Sequence, residues 1–193
     1  MVQLSCKQLH NKQKKHRIED FFMGKYLLQK ADSQNINQAM KLIQDGRQYL
    51  KEQGLDQWQG PYPDLEDIQT DILKERGYLV TDGNALLAYL CIDFQGEPDY
   101  EKIEGQWNST SSYAVIHRLA ISATNRGKGL SGEIFQLAEN LCQEKGIPYI
   151  RIDTHRNNEP MKHAIQKSGF QYCGIIWCLE GERLAFDKIL TTK

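Results

Sequence analysis

The fold is decided by one stretch of the chain, Asn125-Arg126-Gly127-Lys128-Gly129-Leu130-Ser131-Gly132. It follows an apolar segment with strand character and opens an amphipathic helix predicted over residues 129–145. Glycines let a backbone approach a ligand closely, and the first N–H groups of a helix have no partner within it. Arg126 and Lys128 add positive charge where a phosphate would lie. The stretch therefore predicts a binding site for a phosphorylated ligand.

A dinucleotide-binding fingerprint is one interpretation of these glycines. The spacing Gly127-x-Gly129-x-x-Gly132 fits it, and Asp153 ends the next apolar segment, where a ribose-binding acid belongs. That fingerprint requires the strand to run almost directly into the first glycine, whereas residues 122–126 intervene here. Too little chain follows to complete a doubly wound sheet, and the preceding region has the pattern of a hairpin. A dinucleotide enzyme is therefore the less favoured alternative.

A second arrangement of the same residues is Arg126-x-x-Gly129-x-Ser131, directly after the apolar step Leu119-Ala120-Ile121. Further along, Asn158-x-x-Met161 is followed by Lys167-Ser168-Gly169-Phe170. These two segments resemble motifs A and B of the GNAT superfamily of acetyl-CoA-dependent N-acetyltransferases. Ser131 stands where that family usually has Gly or Ala. The resemblance extends, as an order of elements, over roughly residues 26–190.

The remaining sequence predicts elements that agree with this resemblance. Two helices come early, the first capped by Asp32 or Ser33 and the second by Asp64. A hairpin turns at Asp82-Gly83-Asn84. We expect an α/β (α+β) fold of the GNAT type: a mixed, mostly antiparallel central sheet with splayed middle strands and helices on both faces. The later elements are predicted as strands over 113–121, 149–153, 171–179 and 183–190, and helices over 129–145 and 159–168.

The N-terminus differs in composition from the rest of the chain. Its first 17 residues carry five positive charges and no negative one, and they lack the apolar core of a secretory signal. We expect residues 1–24 to be an unstructured basic arm or a cloning remnant, and residues 25–193 to form the N-acetyltransferase domain. A transit peptide or a nucleic-acid-binding arm is a weaker alternative.

The overall composition excludes several classes of partner. The chain has 24 basic and 25 acidic residues, so no net field attracts it to nucleic acid or membrane, and no apolar run approaches the roughly 20 residues of a membrane span. Its five scattered cysteines show no zinc-ligand spacing and favour free thiols. We expect a cytoplasmic enzyme without a metal ion. Its oligomeric state stays open, a homodimer included.

The resemblance implies that acetyl-CoA is the co-substrate. Backbone donors of the glycine loop would hold its pyrophosphate, and main-chain groups of the splayed strand would bind the pantetheine arm. The resemblance further implies direct transfer of the acetyl group to a primary amine of a small molecule, a peptide N-terminus or a lysine. The alternative is a non-catalytic acyl-CoA-binding module of the same fold. The residues expected at the coenzyme are Leu119, Ala120, Ile121, Arg126, Gly127, Lys128, Gly129, Leu130, Ser131 and Asn158.

Acetyl transfer needs a proton acceptor, because an ammonium group must lose a proton before it can attack. His117 is the candidate base, since it lies in the strand beside the expected thioester. Strand alternation predicts that it shares a face with Tyr113, Val115, Leu119 and Ile121. A structural histidine is the alternative interpretation. Its neighbour Arg118 should be paired, and Asp153 or Glu133 could be the partner.

Other side chains are candidates for the leaving group and the acceptor. Many relatives place a tyrosine that protonates the departing thiolate where this chain has Ile165. The resemblance therefore leaves that role empty, or to Tyr149, Tyr172 or solvent. Aromatic residues of the early helical region and of the long loop over residues 95–112 could wall an amine site or simply pack. These are Trp58, Tyr62 and Trp107.

Overall fold

A computed structural model describes residues 21–178 and 180–191. The strands are β1 (Phe21–Met23), β2 (Tyr26–Lys30), β3 (Gly77–Thr81), β4 (Leu86–Asp93), β5 (Glu104–Gly105), β6 (Ala114–Ile121), β7 (Tyr149–Thr154), β8 (Gln171–Cys178) and β9 (Gly181–Ile189). The helices are α1 (Ile36–Glu52), α2 (Leu65–Leu73), α3 (Leu130–Glu144) and α4 (Glu159–Lys167).

The described strands form one sheet in the order β1-β2-β3-β4-β6-β7-β9-β8-β5. Strands β6 and β7 are its parallel pair, and the other described pairs are antiparallel. The predicted mixed, mostly antiparallel sheet is confirmed. The arrangement excludes the doubly wound parallel sheet that the dinucleotide alternative requires.

Helices cover the sheet on both sides. One apolar cluster packs α3 and the buried end of α4 on one face, through residues such as Ile134, Leu137 and Ile165. A second cluster packs α1 and α2 on the opposite face, through Leu42 and Ile68. The amphipathic periodicity of α1 and α3 predicted their buried sides. In α2 it predicted Ile68 correctly, but it was wrong for Leu65 and Leu73, which are exposed at the two ends of that short helix.

Local signals account for the ends of the early elements. Asp32 caps a short 3-10 helix (Ser33–Asn35) that leads into α1. The Asp64 carboxylate accepts the backbone N–H groups of Glu66 and Asp67 at 2.8 and 3.1 Å and begins α2. In the hairpin between β3 and β4, the Asp82 carboxylate accepts the backbone N–H groups of Asn84 and Ala85. These capping and turn predictions are confirmed.

The sheet begins earlier than the sequence predicted. Residues 1–20 of the expected basic arm lie outside the described residues, but Phe21–Met23 form β1 and pair with β2. The boundary at residue 24 is therefore corrected. Within the described part of the chain, no helix is long and apolar enough to cross a membrane.

The middle strands separate partway along their length. The pairing of β6 with β7 runs from Ala114 opposite Ile150 to Ile116 opposite Ile152 and stops there, although both strands continue. From His117 onward, the β7-facing edge of β6 pairs with none of the described strands. This is the expected splay, and it opens the sheet at its centre.

Candidate active site

The splay is the middle of a continuous cleft of about 1080 Å³. At one end the cleft is lined by the glycine loop, and at the other by Trp58, Tyr62, Glu97 and Asp99. We call these the coenzyme end and the acceptor end, after the ligands that the sequence predicts for this region. The β6 residues from Ile116 to Ile121 line the passage between them. The site is therefore built from both faces of the sheet, joined where β6 and β7 part.

The glycine loop has the backbone conformation of an anion cradle. Gly127 and Gly129 adopt φ values of 71° and 80°, which are strained for any residue with a Cβ. A Cβ added at either glycine would meet no atom within 4 Å, so open space adjoins this backbone. Gly129 is also the N-cap of α3 and provides no side-chain cap. The first N–H groups of the helix therefore have no capping side chain and suit an anion.

Arg126 is the cation of the coenzyme end. Its Nε donates to the carbonyl of Ile121 at 3.0 Å, and its guanidinium lies 4.7 Å from the centre of the Tyr49 ring. Its Nη2 is buried and has no hydrogen-bond partner among the described residues. A buried donor without a partner is costly, and a phosphate oxygen would satisfy it. These residues therefore fit the phosphate groups of coenzyme A.

Lys128 and Asn158 are placed differently from the other predicted coenzyme residues. Lys128 is exposed and does not line the cleft, although its neighbours in the loop do. Asn158 lines the cleft, but its Oδ1 caps α4 by accepting the Met161 N–H at 3.2 Å, and its Nδ2 donates to Gln57 at 3.1 Å. The cleft wall includes the remaining predicted coenzyme residues: Leu119, Ala120, Ile121, Arg126, Gly127, Gly129, Leu130 and Ser131.

A β-bulge in β6 corrects the predicted face of His117. Tyr89 pairs with Ala120 and Cys91 with His117, so β6 contains one residue more than β4 across this interval. Arg118, within the bulge, has φ 51°. The extra residue reverses the alternation, so Leu119 and Ile121 pack in the cluster under α3. His117 instead faces the side of the sheet where Val115 packs against Tyr100.

His117 lines the acceptor end and is mostly buried. Its Nε2 lies 3.5 Å from the Oε2 of Glu97, and its ring centre lies 6.4 Å from that of Tyr100. Burial, together with the positive charge of Arg118, lowers the pKa of His117 to about 3. The imidazole is therefore neutral at physiological pH. Its role as the catalytic base stays a prediction.

Arg118 is paired, but with a different residue from those the sequence suggested. Its guanidinium binds the buried Asp71 carboxylate of α2 through two hydrogen bonds of 2.7 and 2.5 Å. A third nitrogen donates to the Tyr62 hydroxyl at 2.7 Å. The pairing with Asp153 or Glu133 is wrong, because the bulge directs Arg118 towards α2. Asp71 could have been found, since it lies three residues after buried Ile68 on an amphipathic helix.

The comparisons with known proteins agree with this architecture. The chain matches the sequence profile of the acetyltransferase (GNAT) family over residues 41–170, which is most of its length. The chain belongs to the GNAT family. A GNAT-family acetyltransferase from Streptococcus agalactiae is 34% identical and superposes with a TM-score of 0.82, over 89% of this chain and 99% of that one.

Two other comparisons are more distant. An aminoglycoside acetyltransferase crystallised with coenzyme A is 19% identical and shares the fold, with a TM-score of 0.61 over 85% of this chain and 94% of that one. The streptothricin acetyltransferase of Escherichia coli is 30% identical over 74 residues, which are 38% of this chain and 41% of that protein. The sequence match thus spans less than half the length of this curated relative.

The aromatic residues predicted for this GNAT site separate into two groups. Trp58 and Tyr62 line the cleft, whereas Trp107 packs between Tyr100 and the Arg151 guanidinium, outside its wall. The tyrosines suggested for thiolate protonation do not line the cleft: the Tyr149 hydroxyl binds Asp187, and Tyr172 is exposed beside Phe186. Ile165 is fully buried in the apolar core.

Sequence reasoning named Asp153 but missed the other acids of the acceptor end. Glu97, Asp99, Asp153 and Glu180 all line the cleft. The Tyr100 hydroxyl donates to Asp153 at 2.7 Å, which ties the long loop to β7. The loop's length and polarity were the only sequence signal, because no pattern indicated which of its acids would face the strands. Within residues 21–178 and 180–191, no cluster of metal-ligating side chains could hold a metal ion.

Proposed function

We propose that this GNAT protein transfers the acetyl group of acetyl-CoA to a primary amine of a cationic small molecule. The observation that carries the proposal is the continuity of the cleft. An anion cradle at one end and acidic side chains at the other communicate through the splayed strands. A phosphorylated acyl donor and a positively charged acceptor would thus meet beside β6.

The coenzyme end supports acetyl-CoA as co-substrate, which would bring an activated acetyl thioester to the splay. The Arg126 guanidinium and the first N–H groups of α3 would hold phosphate oxygens. Past Ile116, main-chain groups on the β7-facing edge of β6 pair with no strand in the part of the chain that the structure describes, so they can bind the amide groups of an extended pantetheine arm. A backbone N–H of the same edge would stabilise the developing oxyanion.

The acceptor end supports a cationic amine. Its acidic side chains share the wall with Arg118, which is paired with Asp71, and Arg183, which is paired with Glu180. The acids remain in excess, and an excess of negative charge in a cleft concentrates cationic ligands. Tyr62 and Trp58 add aromatic surface to the same wall. The names of the relatives include streptothricin and aminoglycoside acetyltransferases, which makes such amines the first acceptors to test.

The departure of the thiolate does not require a dedicated acid. The family's tyrosine position is filled by buried Ile165, and a thiol with an ordinary pKa of about 8.5 is a good leaving group. Solvent in the cleft can return the proton to sulfur. A non-catalytic acyl-CoA-binding module is the alternative, and the absence of a tyrosine at this position is also expected for such a module.

A thiol-release assay tests the proposal. The purified protein is mixed with acetyl-CoA and, in separate reactions, streptothricin, kanamycin, a peptide with a free N-terminus and a lysine peptide blocked at its N-terminus. We expect sustained thiol release with one of the small cationic amines and an acetylated product by mass spectrometry. Tight acetyl-CoA binding by calorimetry, with no amine raising thiol release above hydrolysis, would establish the non-catalytic module instead. Exclusive activity on the peptides would overturn the small-molecule acceptor.

A further inference from the structure

The carboxylate of Glu97 is held at the acceptor end from several directions. Glu97 caps a short 3-10 helix (Pro98–Glu101), and its Oε1 accepts the Asp99 N–H at 3.4 Å. Its own backbone N–H donates to the Tyr113 hydroxyl at 3.3 Å. The second carboxylate oxygen, Oε2, lies 3.5 Å from the His117 Nε2. One oxygen is thus fixed by the loop, and the other faces the β6 wall of the cleft.

Glu97 also stands between two openings. It lines the main cleft together with His117, and it lines a separate hollow of about 340 Å³ formed by residues such as Gly96, Thr110 and Tyr113. His117 lines the main cleft but not the hollow. A proton received by Glu97 inside the cleft can therefore reach solvent from the other side of the loop, without passing the bound substrates.

The electrostatic surroundings match the two side chains to different tasks. Burial raises the pKa of Glu97, and the negative charges of Asp99, Asp153 and Asp93 raise it further, against the Asp99 N–H that lowers it. The pKa of His117 falls to about 3 because of burial and Arg118. A base works best when its pKa lies near the working pH. The pKa of Glu97 is shifted towards the working pH, and the pKa of His117 is shifted away from it.

We propose that Glu97 takes the proton from the acceptor ammonium and that His117, as a neutral positioning residue, orients the Glu97 carboxylate. The inference rests on the proposed acetyl transfer. The ammonium gives one proton to the carboxylate, which becomes a carboxylic acid. The freed amine then forms the N–C bond while the C–S bond of the thioester breaks. The nitrogen loses a second proton in this step, and that proton neutralises the departing thiolate to give the free thiol of coenzyme A. Glu97 returns its proton to solvent through the hollow.

Matched substitutions test this assignment, with streptothricin and kanamycin as acceptors. Glu97→Gln keeps the shape but removes the base, so kcat/KM should fall about 10²–10⁴-fold. The acidic limb of the pH profile should disappear, while the Kd of acetyl-CoA is unchanged. Glu144→Gln is the control, since it removes the same charge at an exposed position that lines neither the main cleft nor the hollow. It should stay within about twofold of the wild-type rate.

His117→Gln separates the positioning role from the base. The amide preserves volume and hydrogen bonding, so the rate should fall modestly and the acidic limb should persist. Loss of that limb in His117→Gln but not in Glu97→Gln would overturn the proposal and make His117 the base. A 13C NMR titration of labelled glutamates, assigned by difference with Glu97→Gln, gives a readout without any acceptor. A Glu97 that titrates like an exposed glutamate would also overturn it.

The two proposals fail in distinguishable ways. If the wild-type protein acetylates no amine, the proposed function fails, whatever the NMR titration shows. If the wild-type protein is active and Glu97→Gln matches it at every pH, only the Glu97 assignment fails. The Arg126 contacts and the acceptor chemistry are untouched by that second result.

Discussion

The two ends of the cleft are built in different ways. The coenzyme end is dominated by one continuous stretch, residues 125–132, and presents mainly backbone groups and a helix N-terminus. The acceptor end is assembled from side chains of the loop after α1, the loop after β4, β6, β7 and the β8–β9 turn. A site made from consecutive residues leaves a spacing pattern in the sequence, whereas an assembled site leaves scattered acids and aromatics.

The largest expected effect comes from breaking the support of the acceptor end. Asp71→Asn leaves Arg118 and Arg76 without the buried carboxylate that both of them contact. Removing one partner of a buried ion pair costs about 3–5 kcal/mol of the free energy of unfolding. Urea denaturation measures the loss. Glu66→Gln, an exposed acid on the same helix, is the control and should change stability by less than about 0.5 kcal/mol.

The coenzyme end is tested by separating its two cations. Arg126→Gln should weaken acetyl-CoA binding about 10–100-fold, because a charge-assisted hydrogen bond contributes about 1.5–3 kcal/mol. Lys128→Gln should weaken it less than about threefold, since Lys128 is exposed and outside the cleft wall. Calorimetry with acetyl-CoA measures both. Equal losses in the two variants would mean that long-range charge, and not the Arg126 contact, attracts the coenzyme.

His117 makes the acceptor end sensitive to acid. Its pKa is about 3 in the folded state and about 6.5 when unfolded, so protons bind the unfolded chain preferentially. The contribution of the neutral histidine to the free energy of unfolding is complete above pH 6.5 and decreases as the pH falls towards 3. Between pH 7 and pH 5 the wild-type protein should lose about 1–2 kcal/mol more than His117→Gln. Parallel urea curves at both pH values measure this difference, and equal losses would contradict the buried neutral histidine.

The smallest expected effect comes from removing one negative charge from the wall of the acceptor end. Asp99 is exposed and lines the cleft, so Asp99→Asn should raise the KM of a cationic acceptor about two- to fivefold. The Kd of acetyl-CoA should not change, and the effect should shrink in high salt. Steady-state kinetics with kanamycin at two ionic strengths measure it. A KM increase that persists at high salt would point to a direct hydrogen bond instead of a general field.

The sequence by itself determined the family, the element order and the coenzyme loop. The capping residues Asp32 and Asp64 and the glycines at 127 and 129 act through contacts and backbone angles within a few residues. Local steric and hydrogen-bonding rules therefore determine their structure directly. The sheet type followed from the order of these elements, and the structure confirms it.

The tertiary structure alone decided the acceptor end. One extra residue in β6 reversed the side-chain alternation between His117 and Leu119 and directed Arg118 to Asp71. Separately, Glu97 reaches His117 from a loop that carries no periodic pattern. Strand alternation has a period of two, so a single inserted residue moves every later side chain to the opposite face. Such an insertion depends on pairing with a distant strand and cannot be inferred from neighbouring residues.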